Sequence, residues 1–175
     1  MTKIESEYPH LQEDISVMRL DPNDQLLNVL IANAHVALQL STREGFEIKV
    51  SEALHAGRPV IATVAGGIPI QVKDKVNGFL VQPGDWKAVA GHLVDLFENE
   101  QLHARMSLAA KNGLSDEVGT VGNALSWFYL ASRYAQDDTL RAKGRWVNDL
   151  AREAAGKVYA QDENRLPRHF TARDS

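Results

Sequence analysis

The sequence predicts an α/β fold: a parallel sheet with helices packed on it, continued by helices towards the carboxyl end. Three observations lead there. Short apolar runs alternate with stretches of helical periodicity over residues 15–111, in the order strand, helix, strand, helix, strand, loop, strand, helix. Turn residues punctuate the runs, as in Asp21-Pro22-Asn23, Gly57 with Pro59, and Gly66-Gly67. After Ser115 the strand-like runs stop and an aromatic-rich helical pattern takes over.

Residues 15–20 (ISVMRL) are short and mix apolar with polar positions, which predicts a strand. Asp21-Pro22-Asn23 turns the chain, and Asn23 or Asp24 is placed to cap a helix whose Leu26, Leu27, Leu30 and Ile31 share one face. Residues 35–40 (HVALQL) read as a second strand, apolar enough for burial on both faces. A helix is expected over 46–56 with Val50, Ala53 and Leu54 inward, stopped by Gly57 and Pro59. Residues 60–63 form a third strand, Gly66-Gly67 a sharp loop and 78–81 a fourth strand. Asp85 caps an amphipathic helix carrying Val89, Leu93, Leu96 and Phe97, and another helix spans 102–111 before Gly113. Beyond Ser115, a helix over 124–134 holds Trp127, Phe128, Tyr129 and Tyr134; 136–138 break it, and a weaker helix covers 146–159. The resulting division is a polar segment over 1–14, an α/β domain over 15–115, a helical extension over 116–160 and a flexible tail over 161–175.

Composition narrows the functions. At 175 residues, 44% hydrophobic and 24% charged, the chain has material for one ordinary core. A net charge of −4 without a basic run disfavours nucleic acid as a partner. The absence of cysteine removes a disulfide scaffold, a thiolate nucleophile and thiolate-bound zinc. No apolar run approaches the ~20 residues of a membrane span, and the first ten residues lack a secretory apolar stretch, so a cytoplasmic location is expected. The six histidines are scattered without metal-binding spacing; no metal and no cofactor are expected.

Chemistry concentrates in residues 41–85. Glu44 falls at the carboxyl end of a strand, where open α/β sheets bind ligands. Gly45 lets backbone approach a ligand, and the helix that follows aims its free N–H groups at the same crevice, which suits a phosphate. Glu52 lies about two turns further on, so the carboxylates should stand roughly 10–12 Å apart. That exceeds the ~5–5.5 Å of a retaining and the ~6.5–9.5 Å of an inverting glycosidase pair, so an acid/base dyad is disfavoured. Two carboxylates flanking a phosphate can grip hydroxyls on either side of it. Equally, Glu44 can cap the helix and Glu52 be a solvated helical residue. Arg43 is placed to pair with phosphate or with Glu44 or Glu47. Gly66-Gly67 reads more readily as a tight turn than as a ligand contact. Trp127, Phe128 and Tyr129, being consecutive, face different sides of a helix and suit packing against another domain better than a stacking platform.

The ordered series STREGF at 41–46, EAL at 52–54, GRPVIA at 57–62, Gly66-Gly67 and GFLV at 78–81 resembles the carboxyl-terminal motif block of family 4 retaining glycosyltransferases. The resemblance covers about residues 15–111. Residues 41–71 and the tail stretches SDEVGTVGNALSWFYLASRYA and WVNDLAREAAGKVY are more similar still to the fungal trehalose phosphorylase group. The resemblance implies the carboxyl-terminal Rossmann-like half of a GT-B fold. The implied reaction is trehalose plus phosphate giving α-glucose 1-phosphate plus glucose with retained configuration. Glu44 is then expected to hold the hydroxyls of the transferred glucose as the catalytic residue. Arg43, Glu44, Gly45, Phe46 and Glu52 would form the donor-sugar and phosphate site. Glu52 matches a position that holds ribose in sugar-nucleotide relatives, which keeps a nucleotide-sugar trehalose synthase as an alternative. Glu47 stands where the family usually has a second glycine.

The resemblance also implies an incomplete enzyme: an acceptor domain and a phosphate-gripping arginine and lysine would precede residue 15, and residues 1–14 supply neither. The chain alone is therefore expected to be inactive. In a sheet of order 3-2-1-4-5-6 the strand over 15–20 would stand two strands away from that over 35–40, whose apolar edge would be open to self-association or to pairing with the full-length enzyme.

Overall fold

The computed structural model describes residues 6–11, 13–136, 144–159 and 163–166. A three-stranded parallel sheet lies at the centre, in the order β1 (Ala37–Gln39), β2 (Val60–Thr63), β3 (Gly78–Val81). Helix α1 (Asp24–Asn33) precedes β1 and is capped by Asn23, whose side chain accepts from the Leu26 N–H at 2.9 Å. Helix α2 (Ile48–His55) joins β1 to β2, and the single turn α3 (Ile68–Gln71) lies between β2 and β3. Helices α4 (Trp86–Glu98) and α5 (Glu100–Gly113) follow β3. Next come a 3-10 turn at Asp116–Val118, α6 (Thr120–Ala135) and α7 (Val147–Ala154).

Two apolar layers sandwich the sheet. Because side chains alternate along a strand, Val60 and Ala62 of β2 face one layer and Ile61 the other. The first layer adds Val50, Ala53 and Leu54 of α2 and Ile68 of α3; the second adds Phe79, Val81, Val89 and Leu96. Helix α5 reaches both, with Ala110 in the first and Met106 in the second. β2, wholly buried, is the central strand of an α/β sandwich.

Several elements depart from the sequence expectation. Residues 15–20 form no strand: they are exposed, and from Ser16 to Leu20 no backbone hydrogen bond forms among the described residues. A strand needs a ladder partner, and no described backbone pairs with this segment. β1 is not buried on both faces but is an edge strand, with Leu38 47% exposed. Helix α2 starts at Ile48 rather than residue 46, because Glu47 takes a left-handed conformation (φ 59°, ψ 77°) that no α-helix can include. Helix α5 starts two residues early because Asn99 caps it, accepting from Leu102 N–H at 2.9 Å. Phe97, expected inward, is mostly exposed, since Leu96 next to it takes the fully buried position; its ring lies 4.6 Å from that of His35. Helix α3 is too short for its periodicity to show in sequence. Helix α7 covers only part of 146–159. Gln136 is the cap residue of α6, and Asp137 and Asp138 lie outside the described residues.

Residues 163–166, within the stretch expected to be a flexible tail, are tied to the body instead. Arg152 donates to both oxygens of Glu163 (2.6 and 3.0 Å), Asn164 donates to the Asn112 carbonyl (3.0 Å), and the Leu166 N–H donates to buried Glu117 (2.8 Å). Glu117 also accepts from the Tyr159 hydroxyl at 2.9 Å. Burying a carboxylate is costly unless it is hydrogen-bonded, so Glu117 fastens the end of α7 and the segment after it to the 3-10 turn.

Candidate functional site

The loop 41–47 leaves the carboxyl end of β1, and the carboxyl ends of β2 and α3's preceding turn lie beside it. Three neutral side chains from different elements shape it. Gln39 of β1 donates to the Ser41 hydroxyl and to Glu44 Oε1, both at 3.0 Å. Thr63 of β2 donates to the Ser41 carbonyl. Gln71 of α3, itself buried and bonded to Ser51 of α2, donates to the Phe46 carbonyl. The Gly67 N–H closes the seam by donating to the Gly45 carbonyl at 2.6 Å.

Gly66 and Gly67 form the turn that the sequence suggests, and they do a second thing as well. At Gly66 (φ +53°) a Cβ would lie 2.1 Å from the Glu44 carbonyl oxygen; at Gly67 it would lie 2.9 Å from Phe46 Cα. The glycines thus give the site loop the space it occupies. Gly45 is exposed with no atom near its missing Cβ, and Phe46 is 40% exposed, so backbone and ring stay open to a ligand.

Glu44 is half-buried. The Ser41 hydroxyl hydrogen bond, followed by one from Glu47, holds its carboxyl below the usual range, with burial opposing and Gln39 and Lys49 assisting. Glu47 moves the other way: burial raises it first, then the hydrogen bond to Glu44 and that group's charge. The interaction thus pushes the two carboxyls apart, Glu44 down and Glu47 up. Arg43 is exposed and makes no ion pair with Glu44 or Glu47. Its guanidinium is left for solvent or an anion.

Glu52 is not part of this cluster. It lies on α2 against a cleft of about 240 Å³ lined also by Ile48, Ser51, His55, Leu114 and Thr120, and its Oε2 is buried with no hydrogen-bond partner. That is neither a solvated helical residue nor a partner of Glu44. Among the described residues no group of three or more acidic or histidine side chains could hold a metal.

The family described as glycosyl transferases group 1 matches residues 7–113, more than half of the chain and the whole of the sheet with its site loop. The chain belongs to this family. Among curated relatives it is 56% identical over 162 residues to a trehalose phosphorylase of Pleurotus pulmonarius, covering 93% of this chain and 22% of the relative. It is 55% identical over 166 residues to a trehalose phosphorylase of Grifola frondosa, covering 94% and 23%. The chain thus spans about a fifth of the length of these relatives. Among solved structures, the carboxyl-terminal domain of a group 1 glycosyl transferase, LpcC, from Francisella tularensis superposes with TM-score 0.57 at 24% identity, over 62% of this chain and 55% of that one. Anabaena HepE in complex with UDP superposes with TM-score 0.52 at 30% identity, over 58% and 29%. The α/β sheet is accordingly that of a GT-B carboxyl-terminal domain.

In this glycosyl transferase domain the structure brings Glu44, Gly45, Phe46 and Arg43 onto one loop and leaves Glu52 at a separate cleft. Sequence reasoning missed Gln39, Thr63 and Gln71, which hold that loop. Their only sequence signal is polarity at positions where buried strand or helix residues are otherwise apolar. Trp127 and Phe128, expected on different sides of α6, are both largely exposed (71% and 75%), while Tyr129 is half-buried.

Proposed function

We propose that the chain forms the donor-sugar wall of a retaining trehalose phosphorylase, handling the glucosyl group exchanged between trehalose and α-glucose 1-phosphate. One observation carries the reading: an ionised Glu44, clamped by Gln39 and Ser41 at the carboxyl end of a parallel strand, beside open backbone at Gly45 and Phe46. A carboxylate fixed by two neutral donors keeps lone pairs for sugar hydroxyls, and it is preorganised rather than recruited on binding. The α2 N-terminus and Arg43 offer positive potential for the phosphate next to it. Over the relatives' printed names, trehalose and phosphate are the substrates this reading assigns. With one wall of a cleft only, the chain alone is expected to turn nothing over, because positioning needs both walls.

The test has two arms. Purified chain is titrated with α-glucose 1-phosphate while backbone amide signals are followed. Shifts at Gly45 and Phe46 that vanish in Glu44→Gln support the site; shifts elsewhere, or unaffected by the substitution, refute it. Phosphate release from α-glucose 1-phosphate and glucose is assayed in parallel; turnover above a heat-killed control and abolished by Glu44→Ala would refute inactivity.

A second reading rests on Glu52, whose buried, unpartnered Oε2 at an open cleft fits a ligand hydroxyl. HepE, similar in fold and 30% identical, was solved with UDP. If the donor is a nucleotide sugar, UDP-glucose should bind with loss on Glu52→Ala while α-glucose 1-phosphate does not bind.

A further inference from the structure

Gln71, the last residue of α3, is buried, and its side-chain amide stands where three carbonyl groups converge. Its Nε2 donates to the Phe46 carbonyl and lies 3.3 Å from the carbonyl oxygen of Gly67 and 3.4 Å from that of Glu47. Carbonyl oxygens only accept, so they fix which end of the amide faces the loop. The other end, Oε1, then faces Ser51 of α2, whose hydroxyl donates to it. The backbone beneath is tied as well. The Gln71 carbonyl accepts from Asn77 Nδ2 at 3.3 Å, and Asn77 Oδ1 accepts from the Lys73 N–H at 2.7 Å. Ser51 and Asn77 are both buried, so the amide stands on a fixed base with little freedom to turn.

Holding these carbonyls inward turns the other side of the same peptides away. The Gly45 carbonyl accepts from the Gly67 N–H at 2.6 Å and the Phe46 carbonyl from Gln71, so two successive carbonyls face one seam. In a planar trans peptide the N–H points opposite to the C=O. The N–H groups of Phe46 and Glu47 therefore both face away from the seam, and successive N–H groups turned the same way suit an anion. We propose that Gln71 is a positioning residue of the donor site: it orients the Phe46–Glu47 peptide so that the Glu47 N–H joins that of Phe46 as a donor pair for an anionic ligand group. This rests on the reading of loop 41–47 as a donor-sugar site; Gln71 itself touches no ligand and acts through the backbone it holds. Glutamine suits the place because one end of it both donates and accepts. Methionine would fill the space and leave the carbonyls facing an apolar group, and an ionised glutamate would set a carboxylate against them.

The test follows backbone amides of the purified chain, first free and then titrated with α-glucose 1-phosphate. In the free parent the Phe46 and Glu47 amides should exchange with solvent at least about tenfold faster than the Gly67 amide, which is bonded inward. In Gln71→Met the Glu47 amide signal should shift and the affinity for α-glucose 1-phosphate fall about tenfold, while the amides of β2 keep their parent positions. Ser51→Ala, which frees only the far end of the amide, should move the same signal by less. A Glu47 amide protected as well as that of Gly67 refutes the proposal, and so does a Glu47 signal unmoved in Gln71→Met. Losses that spread into β2 refute it too, since Gln71 would then support the core and not the loop. If Glu44→Gln weakens binding and Gln71→Met does not, the donor reading stands and the positioning role falls. If the parent binds no α-glucose 1-phosphate, the donor reading falls, and with it the ligand this proposal assigns to the pair. If Gln71→Met does not fold, the response of the Glu47 amide to Ser51→Ala decides.

Discussion

Gly66→Ala probes whether the glycine turn seats the loop 41–47. The added Cβ would fall 2.1 Å from the Glu44 carbonyl oxygen and 2.5 Å from that of Gly45. Both contacts are deep inside van der Waals separation and both meet backbone, which cannot rotate away as a side chain can. The left-handed φ of +53° adds a cost of about 1–2 kcal/mol for any residue with a Cβ, and overpacking adds about 1–3 kcal/mol. The sum, about 2–5 kcal/mol, corresponds to a fall in Tm of about 5–15 °C for a chain of this size. Gly84→Ala is the matched control, because Gly84 also has a positive φ (+86°) but no atom within 4 Å of its missing Cβ. It should lose only the backbone part, about 1–2 kcal/mol. Thermal melts of the two variants and the parent, followed by near-UV circular dichroism, separate the steric part by difference. Equal losses would refute the reasoning, since the loop 41–47 would then not be resting on Gly66.

Three further outcomes follow from named groups. Glu47→Gly should be more stable than Glu47→Ala by about 1 kcal/mol in urea unfolding, because glycine relieves the φ of 59° that alanine retains. Glu47 has a raised pKa, so its proton is held longer in the folded state. The associated stability is complete below the unfolded value near 4.5 and declines as pH rises through the folded value. Glu47→Gln should accordingly match the parent at low pH and gain on it as pH rises towards neutrality, with equal pH profiles counting against the shift. Burial and then Glu117 push the Tyr159 hydroxyl up to about 12, so ultraviolet titration should show one of the four tyrosines ionising last, a component absent from Tyr159→Phe. That variant also loses the bonds to Glu117 (2.9 Å) and Asp149 (3.1 Å) and should cost about 1–2 kcal/mol.

What could be read from sequence is what local patterning determines. The buried run 60–63, the helix faces of Val50, Ala53 and Leu54, and the cap at Asp85 depend on neighbours within a few positions, and the structure has all of them. Residues 15–20 have the same local signal as a strand yet make none, because a strand is defined by its partner and not by its own residues. Phe97 satisfied the helical periodicity, but the width of the buried stripe is set by what packs against it, and in the last turn of α4 the inward position goes to Leu96. At the site, Glu44 was legible because its motif is continuous. Its clamp was not: Thr63 and Gln71 come from positions 22 and 25 residues away from the carbonyls they hold.

Glu47 shows where motif and geometry meet. The position that usually holds glycine in the similar glycosyltransferases adopts φ 59° here, so the backbone demands what glycine supplies freely, yet this chain puts a carboxyl there. The side chain makes no close capping hydrogen bond to α2, and the Lys49 backbone N–H only opposes the rise of its carboxyl. What it does contact is Glu44, by a hydrogen bond that lowers one carboxyl and raises the other. The raised Glu47 carboxyl stands at the amino end of α2, with the lowered Glu44 carboxyl beside it. Strain kept at a site loop is a pointer to function rather than a flaw in folding. Here the left-handed backbone at Glu47 ends the loop 41–47 and sets where α2 begins, so the residue that carries the strain also fixes how the loop meets the helix.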